Sequence, residues 1–394
     1  MPKKSKDSTL DFYNQEALGQ TTKQRLRDWF YKEKRDLPFR KNRTPYSTWV
    51  SEIMLQQTRV NAMLPLYERF MERFPNMGEL ASSDEEEVLR YWKGLGYYSR
   101  AKNLHKGVKK IQEEYDGVFP KTLEEALSVP GVGPYTARAI LSISYQLPFA
   151  VLDGNAKRVL SRLALFDQNS GKKSGEVAPA KVASINSDSI LQKIADRFLD
   201  QNFPGDHNEA VMELGARICL PVPICSNCPL QADCLAFREG KQNDLLEVRK
   251  KNQEVRLGIR FLLVRGPSGI LLLRTPKRRF FKTIYSLPYH WEGESPYNLD
   301  PILVKSESAR DLQIQFSHTI THHKITGYLS EMVLNQKEEH ALSGNLEELQ
   351  IDVKWCDWNH LETEFPSSIS RKILKEIGSV GDSLFGLNYQ RKKK

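Results

Sequence analysis

The stretch Leu127-Ser-Val-Pro-Gly-Val-Gly-Pro-Tyr-Thr-Ala-Arg-Ala139 decides how this chain is read. A helical segment ends at Pro130, because proline disfavours the α conformation in the residue before it and has no amide hydrogen. A second helical segment begins after Gly133. Between them Gly131, Val132 and Gly133 can form a tight hairpin whose backbone amides, at the start of the next helix, approach a phosphate oxygen without interference from a Cβ. A glycine turn between two helices is also a common plain connector, and this stretch alone leaves both readings open.

Outward from the hairpin, residues 15–237 carry apolar residues at three- and four-residue spacing, with turns marked by Pro and Gly, and no strand signature. The polar, charged segment 238–254 reads as an interdomain linker. Beyond it the period changes. Ile259-Arg-Phe-Leu-Leu-Val-Arg265, Gly269-Ile-Leu-Leu-Leu-Arg274 and Lys324-Ile-Thr-Gly-Tyr-Leu329 are short runs bounded by turn residues, as strands are. The expectation is a multidomain chain: an all-α domain at 15–237, an α+β domain at 255–380 and a basic tail at 381–394.

Composition narrows the function classes. With 40% hydrophobic and 27% charged residues, the chain is neither disordered, collagen-like nor a disulfide scaffold. No run approaches the roughly 18 uninterrupted apolar residues of a membrane helix; Arg138 to Leu152, the longest candidate, is broken by polar residues and proline. The basic N-terminus, Met1-Pro-Lys-Lys-Ser-Lys-Asp7, precedes no apolar signal region, so a cytoplasmic protein is expected, nucleoid-associated if bacterial. A net charge of +9 favours polyanions. Each basic end reads equally as a solvated tail or a DNA-contacting arm.

Three further constellations carry chemistry. Four of the five cysteines fall in Cys219-x5-Cys225-x2-Cys228-x5-Cys234, a cluster that suits either tetrahedral zinc or a [4Fe-4S] cluster. Tyr46 to Val60 is expected to form one helix with Trp49, Ile53 and Val60 on one stripe. Glu52 borders that stripe, where partial desolvation would raise its pKa and keep a proton available; a surface glutamate is the plain alternative. Asp153, in Val151-Leu-Asp-Gly-Asn155, suits a helix N-cap, and the same position could hold a carboxylate facing a developing cation.

In this order the features resemble the helix-hairpin-helix DNA glycosylases of the endonuclease III superfamily, and among them the MutY-type adenine DNA glycosylases. The resemblance is carried by Arg35-Asp-Leu-Pro-Phe-Arg40, Trp49-Val-Ser-Glu-Ile-Met-Leu-Gln-Gln-Thr-Arg-Val60, Gly94-Leu-Gly-Tyr-Tyr-Ser-Arg-Ala101, the hairpin, Val151 to Asn155, His207-Asn-Glu-Ala-Val-Met-Glu-Leu-Gly-Ala216 and the cysteine loop. It implies base excision repair: hydrolysis of the N-glycosidic bond of adenine mispaired with 8-oxoguanine, or with G, in double-stranded DNA, by a monomer. Glu52 would protonate adenine at N7, Asp153 would stabilise the cationic sugar, and Asn155 would assist. Phe39, Arg40, Leu55 and Glu209 would line the adenine pocket, and Gln57 and Tyr97 would act as wedges when the base is extruded. Phe39 stands where the family has tryptophan, keeping a stacking face and losing the indole donor.

Tyr135 occupies the hairpin position that carries a Schiff-base lysine in bifunctional relatives, so a monofunctional enzyme without lyase activity is implied. The four cysteines would hold a [4Fe-4S] cluster, ahead of zinc, although the first interval is five residues where the family has six. The second domain resembles the family's Nudix-like lesion-recognition domain. It is anchored by Gln315-Phe-Ser-His-Thr-Ile320, in which Phe316, Ser317 and His318 would contact 8-oxoguanine or its strand. No intact Nudix hydrolase signature lies between Leu287 and Leu312, so no pyrophosphatase activity is expected. Two rival readings are a glycosylase with lyase activity, which Tyr135 disfavours, and a noncatalytic lesion-binding protein, which the presence of Glu52 and Asp153 disfavours.

Overall fold

The computed structural model describes residues 17–167, 172–173, 187–245, 254–293, 309–320 and 322–380. Both basic ends and much of the segment searched for a Nudix signature lie outside these residues. The chain divides into two compact units, 1–83 with 103–250, and 84–102 with 251–394. The 15–237 stretch read as one domain therefore lends residues 84–102 to the second unit.

The first part of the chain is a succession of helices: α1 (Gln20–Glu33), α2 (Pro38–Lys41), α3 (Pro45–Leu55), α4 (Val60–Arg73), α5 (Met77–Ser82), α6 (Glu85–Tyr91) and α7 (Tyr98–Glu114). There follow α8 (Leu123–Ser128), α9 (Pro134–Tyr145), α10 (Gly154–Leu163), α11 (Ser187–Phe198), α12 (Pro204–Arg217) and α13 (Leu235–Arg238). A ladder of two short strands, β1 (Phe166–Asp167) and β2 (Lys172–Lys173), corrects the expectation of no strand here; two residues each are too short to show a period. The core of this unit gathers Leu26 and Phe30 of α1, Leu160 and Leu163 of α10, Ile194 and Phe198 of α11 and Leu214 of α12.

Local sequence fixes the helices that matter most. At the head of α3 the Thr44 hydroxyl accepts from the Ser47 amide at 3.1 Å, and the Ser47 hydroxyl accepts from the Thr44 amide at 3.0 Å. This reciprocal cap, with Pro45 in the first turn, sets the start of a helix buried from Tyr46 to Met54. The helix stops at Leu55, which corrects the expected stripe through Val60. Gln57 adopts φ +59°, the Thr58 amide turns back to the Leu55 carbonyl, and Val60 opens α4. The polar run Gln56 to Arg59 offers no apolar group to continue the buried face.

The hairpin lies between α8 and α9 as expected, with Gly131 at φ +81° and Gly133 capping α9. It sits close to α7: a Cβ on Gly107 would fall 2.5 Å from both the Pro130 carbonyl and the Trp49 ring.

In the second unit the sheet order is β6-β7-β3-β4-β8, with β5 also paired to β3: β3 (Val255–Gly266), β4 (Gly269–Arg274), β5 (Tyr289–Glu292), β6 (Arg310–Ile320), β7 (His323–Val333) and β8 (Asp352–Cys356). β3 and β7 run parallel and the other pairs antiparallel. Phe261 to Val264 are buried without alternation, which marks β3 as a central strand covered on both faces. Helices α14 (Gln336–Glu348), α15 (Leu361–Glu364) and α16 (Ser368–Val380) complete the mixed α+β unit. A core of Leu262, Val264, Leu271, Leu273 and Met332 packs with Leu346 of α14.

Candidate active site

Nine of the residues singled out in the sequence line one cavity of about 1160 Å³ in the first unit: Phe39, Arg40, Glu52, Leu55, Gln57, Tyr135, Asp153, Asn155 and Glu209. Five elements deliver eight of them, and Gln57 comes from the turn between α3 and α4. α2 brings Phe39 and Arg40, α3 brings Glu52 and Leu55, α9 brings Tyr135, the start of α10 brings Asp153 and Asn155, and α12 brings Glu209.

Glu52 is only 7% exposed, and the Tyr135 hydroxyl donates to its Oε2 at 2.5 Å. Burial pushes its carboxyl up to about 7, with further upward pressure from the charges of Asp153 and Glu209; the Tyr135 bond and Arg40 pull the other way. A carboxyl in that state keeps a proton near neutrality and can pass it on. Burial and the adjacent carboxyls raise the Tyr135 phenol well above its ordinary range, so it remains a donor. Tyr135 thus faces Glu52 in the cavity wall, its ring packed against Ala139, Ile143 and Val151.

Asp153 caps α10, accepting from the Ala156 amide at 2.6 Å. Burial pushes its carboxyl up, opposed by the Ala156 and Asn155 amides and by Arg158. The Asn155 side-chain oxygen accepts from Arg158 at 2.8 Å, and the same guanidinium bonds the carbonyls of Gly215 and Cys219 at 2.7 Å. Phe39 is buried edge-on to Tyr67, with ring centroids 5.8 Å apart.

Four cavity residues escaped the sequence reading: Arg35, Met212 and Glu213, which line it, and Arg43, which reaches it through Glu209. Arg43 pairs with Glu209 and with Asp206, the latter at 2.6 Å. Glu213 accepts from Arg35 Nε at 2.8 Å and from Arg40 at 2.8 Å. A signal was present, because Glu209 and Glu213 stand four apart and must share a helix face.

In the hairpin, the Val132 amide donates to the Val129 carbonyl at 3.1 Å and the Val132 side chain is buried. That amide is therefore engaged inside the turn in this structure.

The four clustered cysteines line one small cavity with Arg162, whose guanidinium reaches the Cys219 sulfur at 3.3 Å and the carbonyls of Leu220 and Pro221 at 2.6 and 2.7 Å. The short first interval closes through the Ile224 amide on the Ile218 carbonyl at 2.9 Å. Burial, and then the neighbouring cysteines, push the Cys228 thiol up to about 12 and Cys234 to about 11. Among the described residues no group of three or more His, Cys, Asp or Glu is arranged to hold a metal ion. The chemistry of the donor set, four sulfurs beside a buried guanidinium, nevertheless fits a soft metal centre.

In the second unit Tyr97 is 47% exposed and held at φ +46° between Gly96 and Tyr98, with Arg100 stacked on its ring at 5.5 Å. It lines a cavity of about 670 Å³ with Arg279, Lys282, His318 and Arg371. Phe-Ser-His lies within strand β6 rather than in a loop. Phe316 points into the core, stacked on Phe261 at 6.0 Å over Gly327, where a Cβ would strike its ring at 2.4 Å. Phe316 therefore packs the sheet, Ser317 is exposed on the opposite face, and His318, on the same face as Phe316, is half-buried. Burial, aided by Lys372, pushes His318 down to about 4.

Residues 50–181 match the family described as "HhH-GPD superfamily base excision DNA repair protein". The chain is similar to the Adenine DNA glycosylase of Mus musculus, 40% identical over 230 residues that cover 56% of this chain and 42% of that protein. It is also similar to those of Buchnera aphidicola subsp. Acyrthosiphon pisum (strain APS), 32% identical over 75% of this chain and 83% of that protein, and of Schizosaccharomyces pombe, 30% identical over 98% and 83%. The match spans about two fifths of the length of the mammalian relatives.

Proposed function

This chain belongs to the adenine DNA glycosylases of the helix-hairpin-helix base excision repair superfamily, and from that premise we propose that it hydrolyses the N-glycosidic bond of adenine mispaired with 8-oxoguanine, or with G, without cutting the strand. The observation that carries this reading is a buried, proton-retaining Glu52 in the same cavity as Asp153.

Adenine leaves poorly as an anion. Extruded into the cavity, it would accept the Glu52 proton at N7 as the C1′–N9 bond breaks, so that neutral adenine departs and C1′ becomes cationic. The Asp153 carboxylate would stabilise that cation, and water adding to C1′ and losing a proton yields the abasic sugar. Tyr135 holds the Glu52 carboxylate after proton transfer through its hydroxyl. A phenol in this place supplies no amine for a Schiff base, so β-elimination has no nucleophile here.

Cys219, Cys225, Cys228 and Cys234 would hold a [4Fe-4S] cluster, which when bound supplies a rigid, charged fold element rather than a step in hydrolysis. Arg158 ties that loop to Asn155. For the opposite base, Tyr97 and His318, which line a cavity with Arg279, Lys282 and Arg371, and the exposed Ser317 are the candidate contacts with 8-oxoguanine, the cations suiting the phosphates of its strand.

The test is a single-turnover assay on duplexes with A opposite 8-oxoguanine and A opposite T, each scored with and without alkali. Breaks at the mispaired adenine only after alkali are expected, with loss of rate above pH 7 as Glu52 ionises. Asp153→Asn should bind the mispair and remove no base. Tight binding by the wild-type chain without any abasic product would overturn the reading in favour of a lesion-binding protein.

A further inference from the structure

Glu213 has no part in the proton transfer described above, yet its side chain is 0% exposed and is held by two arginines. Arg35 grips it through Nε at 2.8 Å and Nη at 2.7 Å, and Arg40 donates to the same carboxylate at 2.8 Å. The two guanidiniums hold its carboxyl down at about 2 despite burial, so it is ionised throughout the working range.

Arg40 is 9% exposed and lies between two glutamates on α12, with Nε 3.3 Å from Glu209 and an Nη bonded to Glu213. Arg40 also donates to the Arg35 carbonyl at 3.3 Å, and removal of one of its two carboxylates leaves its charge only partly compensated in low-dielectric surroundings. The groups that face Glu52 come from every element around it: Tyr135 from α9, Asp153 from the start of α10, Glu209 from α12 and Arg40 from α2. Arg40 is the one cation among these four, and Glu213, at 2.8 Å, is its shorter carboxylate partner.

We propose that Glu213 is a positioning residue for base removal: it seats Arg40 and offsets its charge, and so sets how firmly Glu52 keeps the proton that the leaving base needs. The inference rests on Glu52 being the proton donor proposed above.

The sign follows from charge. Glu213→Gln removes one negative charge from the pair, so the field at Glu52 becomes more positive, the ionised carboxylate is favoured, and the donor loses its proton at lower pH. The alkaline limb of the single-turnover excision profile should move down by about half a unit to one unit, which lowers the ratio of rates at pH 8 and pH 6 about 2.5- to 5-fold relative to wild type. Arg40→Gln removes the cation, and its limb should move up, whatever it costs in absolute rate. A merely structural staple would slow excision at every pH and leave both limbs in place.

The same quantity is read without turnover by carboxyl ¹³C titration of Glu52 in the full chain, assigned by the signal lost in Glu52→Gln. Opposite shifts in the two variants support the inference. An unchanged Glu52 titration in Glu213→Gln overturns it, and if that variant does not fold, an unchanged titration in Arg40→Gln does so equally. Opposite shifts in a chain that removes no adenine would uphold the coupling and sink the enzymatic reading.

Discussion

At Glu52 the demands of catalysis and of folding oppose each other. Its carboxyl is pushed up to about 7 by burial, from an ordinary value of 4.5. The native state therefore keeps a proton that the unfolded chain has lost, and the resulting stability is fully present below the unfolded value and lost as pH rises through 7. Glu52→Gln keeps an acceptor for Tyr135 and cannot ionise. It should abolish base removal, match wild type in thermal melting at about pH 3.5, and exceed it at pH 8 by about 1–3 kcal/mol. Equal melting at both pH values would show that the buried carboxyl carries no such cost. Much of this residue was legible beforehand, because three positions from Trp49 on an α-helix must border a buried stripe. Its partner was not: Tyr135 lies 83 residues away, and only the packing of α9 on α3 brings the phenol to the carboxyl. Phe316 shows the opposite failure. Its neighbours matched a motif, but strand alternation assigns Phe316 and Ser317 to opposite faces, and the face that holds Phe316 is the core.

At the scale of elements, the close approach of α7 to the hairpin and α3 holds the glycine turn in place. Gly131 and Gly133 were legible as a turn, whereas Gly107 is a lone glycine in a helical pattern and carries no local signal. Its meaning is tertiary: the missing Cβ makes room for the Pro130 carbonyl and the Trp49 ring. Gly107→Ala offers about 1 kcal/mol of helix propensity in its favour, but overpacking of a rigid core typically costs about 1–3 kcal/mol, and here the obstacle includes backbone. Urea denaturation should therefore show net destabilisation, and affinity for duplex DNA should fall with displacement of the Gly131 turn. A more stable variant would mean that α7 shifts freely and that the hairpin is not held by it. The end of α3 teaches a related lesson. Apolar spacing continued to Val60, but four polar residues with Gln57 in the left-handed region break the helix, and periodicity does not report φ. In the cysteine loop, spacing exposed the cluster, while Arg162, 57 residues before Cys219, is brought to the sulfur only by the fold.

Across the whole molecule, chain order and compact units disagree. Residues 84–102 lie within the helical half of the sequence, yet they belong to the unit built around the sheet. Lys93 bonds the Glu362 carboxylate at 2.8 Å, the Tyr98 hydroxyl bonds the Pro366 carbonyl, and Lys354 reaches Glu86 at 3.5 Å. Leu89 and Leu95 meet the same unit in cavities lined by Ile284 and Phe280. The ion pairs are partly exposed and each is worth at most about 1 kcal/mol, so apolar contact and the enclosed Tyr98 bond carry most of the attachment. No local pattern could announce contacts that span about 270 residues, which is why the sequence reading drew its domain boundary at 237 and missed this exchange. The consequence concerns Tyr97, the exposed aromatic of this segment. A fragment ending at residue 250 removes every one of these partners, so trypsin should cut at Arg90, Lys93 and Arg100 far faster than in the intact chain, while the hairpin around Arg138 remains protected. If Tyr97 acts at the mispair, the fragment should also lose discrimination between A opposite 8-oxoguanine and A opposite G, because the loop that presents it is no longer braced. Equal protection of residues 84–102 in fragment and full chain would show instead that the first unit holds this segment by itself, and the loss of discrimination would then have to come from the missing sheet alone.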